Sequence, residues 1–128
     1  MTIGLKIACG LYAALMALFG VRWWFAFDGM ALEWMVEPLG IQGTNNLMGD
    51  MGAVFFGTAI MIALGLRAGH SVWLLAGALL MAIVALGRLL GYVTIGFVPE
   101  TVVSLVFEIV SCALLIWTHM RMSAEQLD

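Results

Sequence analysis

The sequence predicts an all-α, polytopic membrane protein, an antiparallel bundle of four transmembrane helices forming one domain over residues 1–128. Three observations carry this prediction. Of the 128 residues, 64% are hydrophobic and only 10% charged; the mean hydropathy is +1.10; and the apolar residues gather into four runs near the ~20 residues a spanning helix needs. A soluble domain carries about a quarter charged residues, so this chain has too little polar surface to cover itself in water. Five Lys and Arg against eight Asp and Glu give a formal charge of −3, the wrong sign for a nucleic-acid binder.

The spans read as residues 5–27, 46–66, 72–95 and 101–118. Only eight residues precede Cys9, too few for the ~7–15-residue apolar core of a signal peptide. The first run is therefore expected to be a retained helix. Cys9 and Cys112 both sit in apolar runs and read as small buried hydrophobes rather than a disulfide. Residues 67–71 and 96–100 are short enough only for turns, which makes their flanking helices antiparallel neighbours. The longer connection, residues 28–45, holds Gly29, Pro38, Gly40 and Gly43. Its middle, residues 30–36, reads as a short amphipathic segment and an interfacial turn; a lid over a site is the alternative.

Lys6, Arg67 and Arg121 lie at one end of the predicted spans, with Arg22 the cation at the other, beside Asp28, Glu33, Glu37 and Glu100. The positive-inside rule then puts both termini in the cytoplasm of a bacterial inner-membrane protein. Trp23, Trp24 and Trp34 are expected in an outer aromatic belt and Trp73 and Trp117 in an inner one.

Three charges fall inside the spans. A charge near a helix centre costs about 2.5–3.5 kcal/mol on insertion scales, so it persists mainly where paired or hydrated. At ~1.5 Å per residue, Asp50, Arg88 and Glu108 all lie roughly 6–11 Å below the same boundary. Helical spacing puts Thr101, Ser104, Glu108, Ser111 and Cys112 on one face of the fourth span, and Gly77, Met81, Val84, Arg88, Gly91 and Tyr92 on one face of the third. In the second, Asp50, Ala53, Gly57, Met61 and Gly65 align; in the first, Gly10, Ala13, Ala14, Ala17 and Val21. Small and polar faces are the packed sides of membrane helices. Arg88 is therefore expected to meet both Asp50 and Glu108 inside the bundle, with Tyr92 and Ser104 beside it. One cation between two acids leaves a surplus carboxylate, and burial is expected to raise the pKa of one of the two, the deeper Glu108 ahead of Asp50. Arg22 lies off the small face of its helix and is expected to snorkel to headgroups.

This cluster reads first as a buried ion pair fixing helix register. The alternatives are a polar pocket for a ligand headgroup or proton exchange, and a contact with a partner subunit. Gly87-x-x-x-Gly91 fits close packing within the bundle, and the ten methionines read as packing residues. With no phosphate-binding Gly-rich loop, nucleophile elbow or HExxH, and with His70 and His119 isolated, no cofactor and no metal are expected. An enzyme ranks last.

The segment Asn45-Asn46-Leu47-Met48-Gly49-Asp50-Met51-Gly52, followed by Gly87-Arg88 and Glu108, resembles the bacterial four-helix membrane proteins grouped as domain of unknown function 4345. The resemblance covers about residues 5–121, including Pro38-Leu39-Gly40 and the short loop at Arg67. It implies four spans in a bacterial membrane and brings no activity. A looser likeness to DoxX-like membrane proteins rests on architecture. The expected function is thus a structural or accessory component of a membrane complex or homo-oligomer. The second reading is a binding or transport protein for a small lipophilic or anionic ligand, a lipid or quinone-like molecule, at Arg88.

Overall fold

The computed structural model describes residues 2–126. Helix α1 (Thr2–Phe25) is followed by a short α2 (Phe27–Glu33), then α3 (Gly40–Gly65), α4 (Val72–Thr94), a 3-10 turn (Pro99–Thr101) and α5 (Val102–Ala124). The four long helices are each long and apolar enough to cross a membrane. They run up and down in the cyclic order α1, α3, α4, α5. The contacts of α1 with α3 and of α4 with α5 are the most extensive, and the α5–α1 seam is the thinnest of the four. One end of the bundle carries α2, the start of α3 and the 3-10 turn; the other carries the 66–71 turn and the outer ends of α1 and α5.

Helix α3 starts six residues earlier than the hydropathy predicts. Leu39 is extended and Gly40 takes φ +66, so the chain turns into the helix directly after Pro38. Residues 41–45 are mostly polar or small, which is why they read as loop. They form helix all the same, with Thr44 Oγ1 donating to the Gly40 carbonyl at 3.2 Å.

The packed faces of α4 and α5 follow the predicted stripes: Leu74, Gly77, Ala78, Met81 and Ala85 are buried on α4, and Glu108, Ser111, Leu115, Thr118 and Met122 on α5. Those of α1 and α3 do not. The core face of α1 is Cys9, Tyr12, Met16, Gly20 and Trp23, while Ala14 and Val21 are exposed. That of α3 is Gly52, Phe55, Thr58, Ala59, Ile62 and Gly65, with Asp50 and Ala53 exposed. Here large rings on one helix fill the grooves left by glycines on the other. A β-carbon at Gly20 would meet the Phe56 ring, and one at Gly52 the Trp24 indole. Close approach therefore depends on two specific glycines rather than on a continuous small face. Gly87 and Gly91, expected to pack within the bundle, have open space where a β-carbon would stand.

The expected outer tryptophan belt is also revised. Trp23 is fully buried, and its indole N–H has no partner among the described residues. Its position is set by rings: Phe27 at 5.7 Å and Trp34 at 6.0 Å, both edge-on. Trp34 turns inward as well. Trp73 and Trp117 are exposed at the opposite end. Cys9 and Cys112 are free thiols. Cys9 lies 3.2 Å from Thr118 Oγ1, whose own hydrogen goes to the Leu114 carbonyl, so the thiol is the donor.

Candidate functional site

Arg88 lies six residues before the end of α4 and Glu108 six residues into α5. Antiparallel packing puts them at one level, about 9 Å in from the helix ends at ~1.5 Å per residue. Arg88 Nη2 donates to Glu108 Oε1 at 2.6 Å and Nε to Oε2 at 3.2 Å. Two parallel bonds make this the fork geometry that arginine forms with carboxylates. The side chains are 21% and 8% exposed, so the pair is largely withdrawn from the surroundings.

Asp50 does not join them. It is exposed and forms no ion pair among the described residues. The helix register places it there: Trp24 Nε1 donates to the Met48 carbonyl (2.9 Å) and the indole fills the space at Gly52, so that face of α3 turns to α1. Asp50 lies about 200° around the helix from Gly52 and points away from it. Arg88 and Glu108 therefore make a one-to-one pair, and the second carboxylate expected beside them is absent.

Tyr92, one turn above Arg88, belongs to the end of the bundle. Its hydroxyl lies 2.6 Å from Thr101 Oγ1, whose hydrogen goes to the Val98 carbonyl, so Tyr92 donates. With Phe97 edge-on at 5.2 Å, it braces the turn that joins α4 to α5. Ser104, one turn before Glu108, lines the same cavity as the ion pair.

That cavity, of about 410 Å³, is the feature the sequence did not disclose. It lies between all four long helices, with Met16 and Phe19 from α1, Val54 and Phe55 from α3, Met81 and Val84 from α4, and Phe107 from α5 among its walls. Arg88, Glu108 and Ser104 supply its polar groups. Val103 and Phe107, 78% and 40% exposed, are the exposed members of the lining, so the cavity opens beside α5.

Trp34 closes the α2 end. The chain leaves α2 through a turn in which Val36 N–H bonds to the Ala31 carbonyl (2.8 Å) and Met35 N–H to that of Leu32 (3.2 Å), with Met35 at φ 54. This is the 6→1 and 5→2 pattern of a Schellman C-cap, with methionine where glycine is usual. A non-glycine residue in this region costs of order 1–3 kcal/mol. Burial of Met30 and Ala31 and the rings around Trp34 hold it: Phe55 at 5.5 Å, Trp23 at 6.0 Å and Phe19 at 6.4 Å. Residues 30–36 were read as an interfacial turn; they place an indole over the cavity. Arg22, expected to reach for headgroups, instead pairs with Glu33 of α2 at 2.6 Å and ties that helix to α1.

Searches against family models, curated proteins and solved structures found no match. The four apolar helices give the coarse identity on their own. This is a small multi-pass membrane protein.

Proposed function

We propose that the protein binds a small lipophilic molecule inside the membrane, with the apolar part in the cavity between the four helices and the polar part at Arg88 and Glu108. It is placed, in this reading, in a bacterial inner membrane with both termini cytoplasmic, and in the family of domain of unknown function 4345. The charge distribution supports the orientation: Lys6, Arg67 and Arg121 sit at the end carrying the termini, and Asp28, Glu33, Glu37 and Glu100 at the other, with Arg22 the one cation there among the described residues.

The cavity carries the reading. Met16, Phe55 and Met81 are buried in its walls while Arg88, Glu108 and Ser104 converge on one side, so an apolar body and a polar head find matching surfaces in one space of about 410 Å³. The space is also at the lower end of the ~300–1,000 Å³ range of ligand pockets, mostly apolar with a few convergent polar groups. A structural or accessory role, the other reading from the sequence, calls for a filled core around a register-fixing pair.

Gentle purification followed by native mass spectrometry tests the two. The binding reading expects one small lipophilic molecule retained per chain and lost in an Arg88→Ala variant that still folds. An empty chain that instead co-purifies stoichiometrically with another protein would favour the accessory role.

A further inference from the structure

The head group that this cavity accepts is set by what the ion pair leaves open. We infer that the ligand carries an uncharged head able to accept hydrogen bonds, a hydroxyl or carbonyl, and that amphiphiles with a formal charge of either sign are rejected. This rests on the proposed binding function and narrows it.

Arginine has five N–H groups and no acceptor. Glu108 takes two of them, and Arg88 makes no other side-chain hydrogen bond among the described residues. Its other N–H groups are donors at the cavity wall. Each oxygen of an ionised carboxylate accepts about two hydrogen bonds, so Glu108 Oε1 and Oε2 keep acceptor capacity after Arg88 is satisfied. Ser104, on the same wall one turn away, offers a hydroxyl that donates or accepts. The polar corner therefore presents donors and acceptors together, with no net charge.

A charged head disturbs this balance. An anion drawn to Arg88 would compete with Glu108, a carboxylate only 8% exposed, and leave it without its partner in an apolar wall. A cation drawn to Glu108 would strand Arg88 in the same way. Separating a buried pair is strongly unfavourable because it leaves an uncompensated charge. A neutral oxygen function accepts from the outer N–H groups of Arg88 or from Ser104 while the pair stays closed, and a hydroxyl can in addition donate to the Glu108 lone pairs. The walls ask for a body that is apolar and partly ring-contacting: Phe19, Phe55 and Trp34 line the same space. A long-chain alcohol and an alkylated quinone both satisfy this chemistry.

Trp34 provides the readout. The full chain in nanodiscs of zwitterionic lipid is titrated with 9,10-dibromooctadecan-1-ol, whose bromines quench nearby tryptophan. The part of the quenching that Trp34→Phe removes reports the cavity. Hexadecan-1-ol, a decyl-substituted benzoquinone, hexadecyl sulfate and hexadecyltrimethylammonium then compete for it. At least one neutral competitor is expected to act at a concentration tenfold or more below both charged ones, and the tighter neutral head names the source of the ligand. Glu108→Gln, which leaves the Arg88 charge unbalanced, is expected to move hexadecyl sulfate ahead of the alcohol. Displacement by the sulfate or the ammonium within tenfold of the tighter neutral competitor in the unmodified protein overturns the inference and leaves the binding function standing. Absence of any saturable, Trp34-dependent quenching overturns the binding function itself. Should Glu108→Gln fail to fold, the comparison in the unmodified protein still decides.

Discussion

The Trp24 indole occupies the space in which a β-carbon at Gly52 would stand, and the same ring donates from Nε1 to the Met48 carbonyl at 2.9 Å. Helix α1 is thereby locked to α3 at one register, with the Trp24 ring tilted against that of Phe56 at 4.4 Å on the next turn. Everything at the α2 end depends on it, because the register decides which α3 side chains face the cavity. Gly52→Ala is expected to lower stability by about 1–3 kcal/mol, the usual cost of overpacking. Thermal unfolding in detergent measures it. Ala53→Gly, one residue along on the exposed face, is the control; it should cost only the ~1 kcal/mol or less of helix propensity. Equal losses at both positions would mean the indole yields freely.

The Arg88–Glu108 pair makes a sharper demand, because a buried pair behaves differently when one member is removed and when both are. Glu108→Ala strands an arginine among apolar walls and is expected to cost about 3 kcal/mol or more. Arg88→Met combined with Glu108→Met removes both charges and retains volume. Its stability is expected to return to within about 1 kcal/mol of the parent, since apolar replacements of buried pairs are often neutral. Probe binding should stay lost in the double variant. A double variant that is less stable than Glu108→Ala would show the pair to be needed for folding beyond its charge balance.

Asp50 and Glu108 have similar apparent depth in the sequence and opposite fates in the fold. Asp50→Asn is expected to lower stability by no more than about 0.5 kcal/mol, because Asp50 has no ion pair among the described residues to lose, and to leave quenching through Trp34 unchanged. Unfolding curves and probe titration both check this. A loss comparable with that of Glu108→Ala would return Asp50 to the cluster.

How much of this was legible in the sequence depended on which physical signal each feature leaves. The four helices, and the inward faces of α4 and α5, follow from hydropathy and from polar residues repeating every three or four positions. Arg88 and Glu108 were found that way. The faces of α1 and α3 were misread because a stripe of small residues marks a place where backbones can approach, not one where they do. Gly20 and Gly52 are in close contact since Phe56 and Trp24 reach them; Gly57 and Gly87 are equally small and meet nothing within the bundle. Asp50 was assigned inward on that misread face. The cavity left no local trace at all. Its walls come from four helices and Trp34, each ordinary in its own segment, and the volume is a property of their separation. Trp34 itself was noticed as an interfacial residue, but its inward turn depends on Met35 adopting a positive φ, which no propensity favours.

The cavity is open to test by filling it. Val84 lines it from α4, between Met81 and Arg88, and is only partly buried. A larger side chain at this position would extend into space instead of into neighbouring atoms. Val84→Phe is expected to hold or raise stability, by up to about 1 kcal/mol in the manner of cavity-filling substitutions, while weakening probe binding at least tenfold. The two effects must be measured on the same preparation, by thermal unfolding and by quenching of Trp34. Overpacking gives the opposite pattern: a loss of about 1–3 kcal/mol would mean that the helices have no room between them. Binding that persists beside a well-tolerated phenylalanine would place the ligand elsewhere, on the lipid-facing surface of α4 and α5.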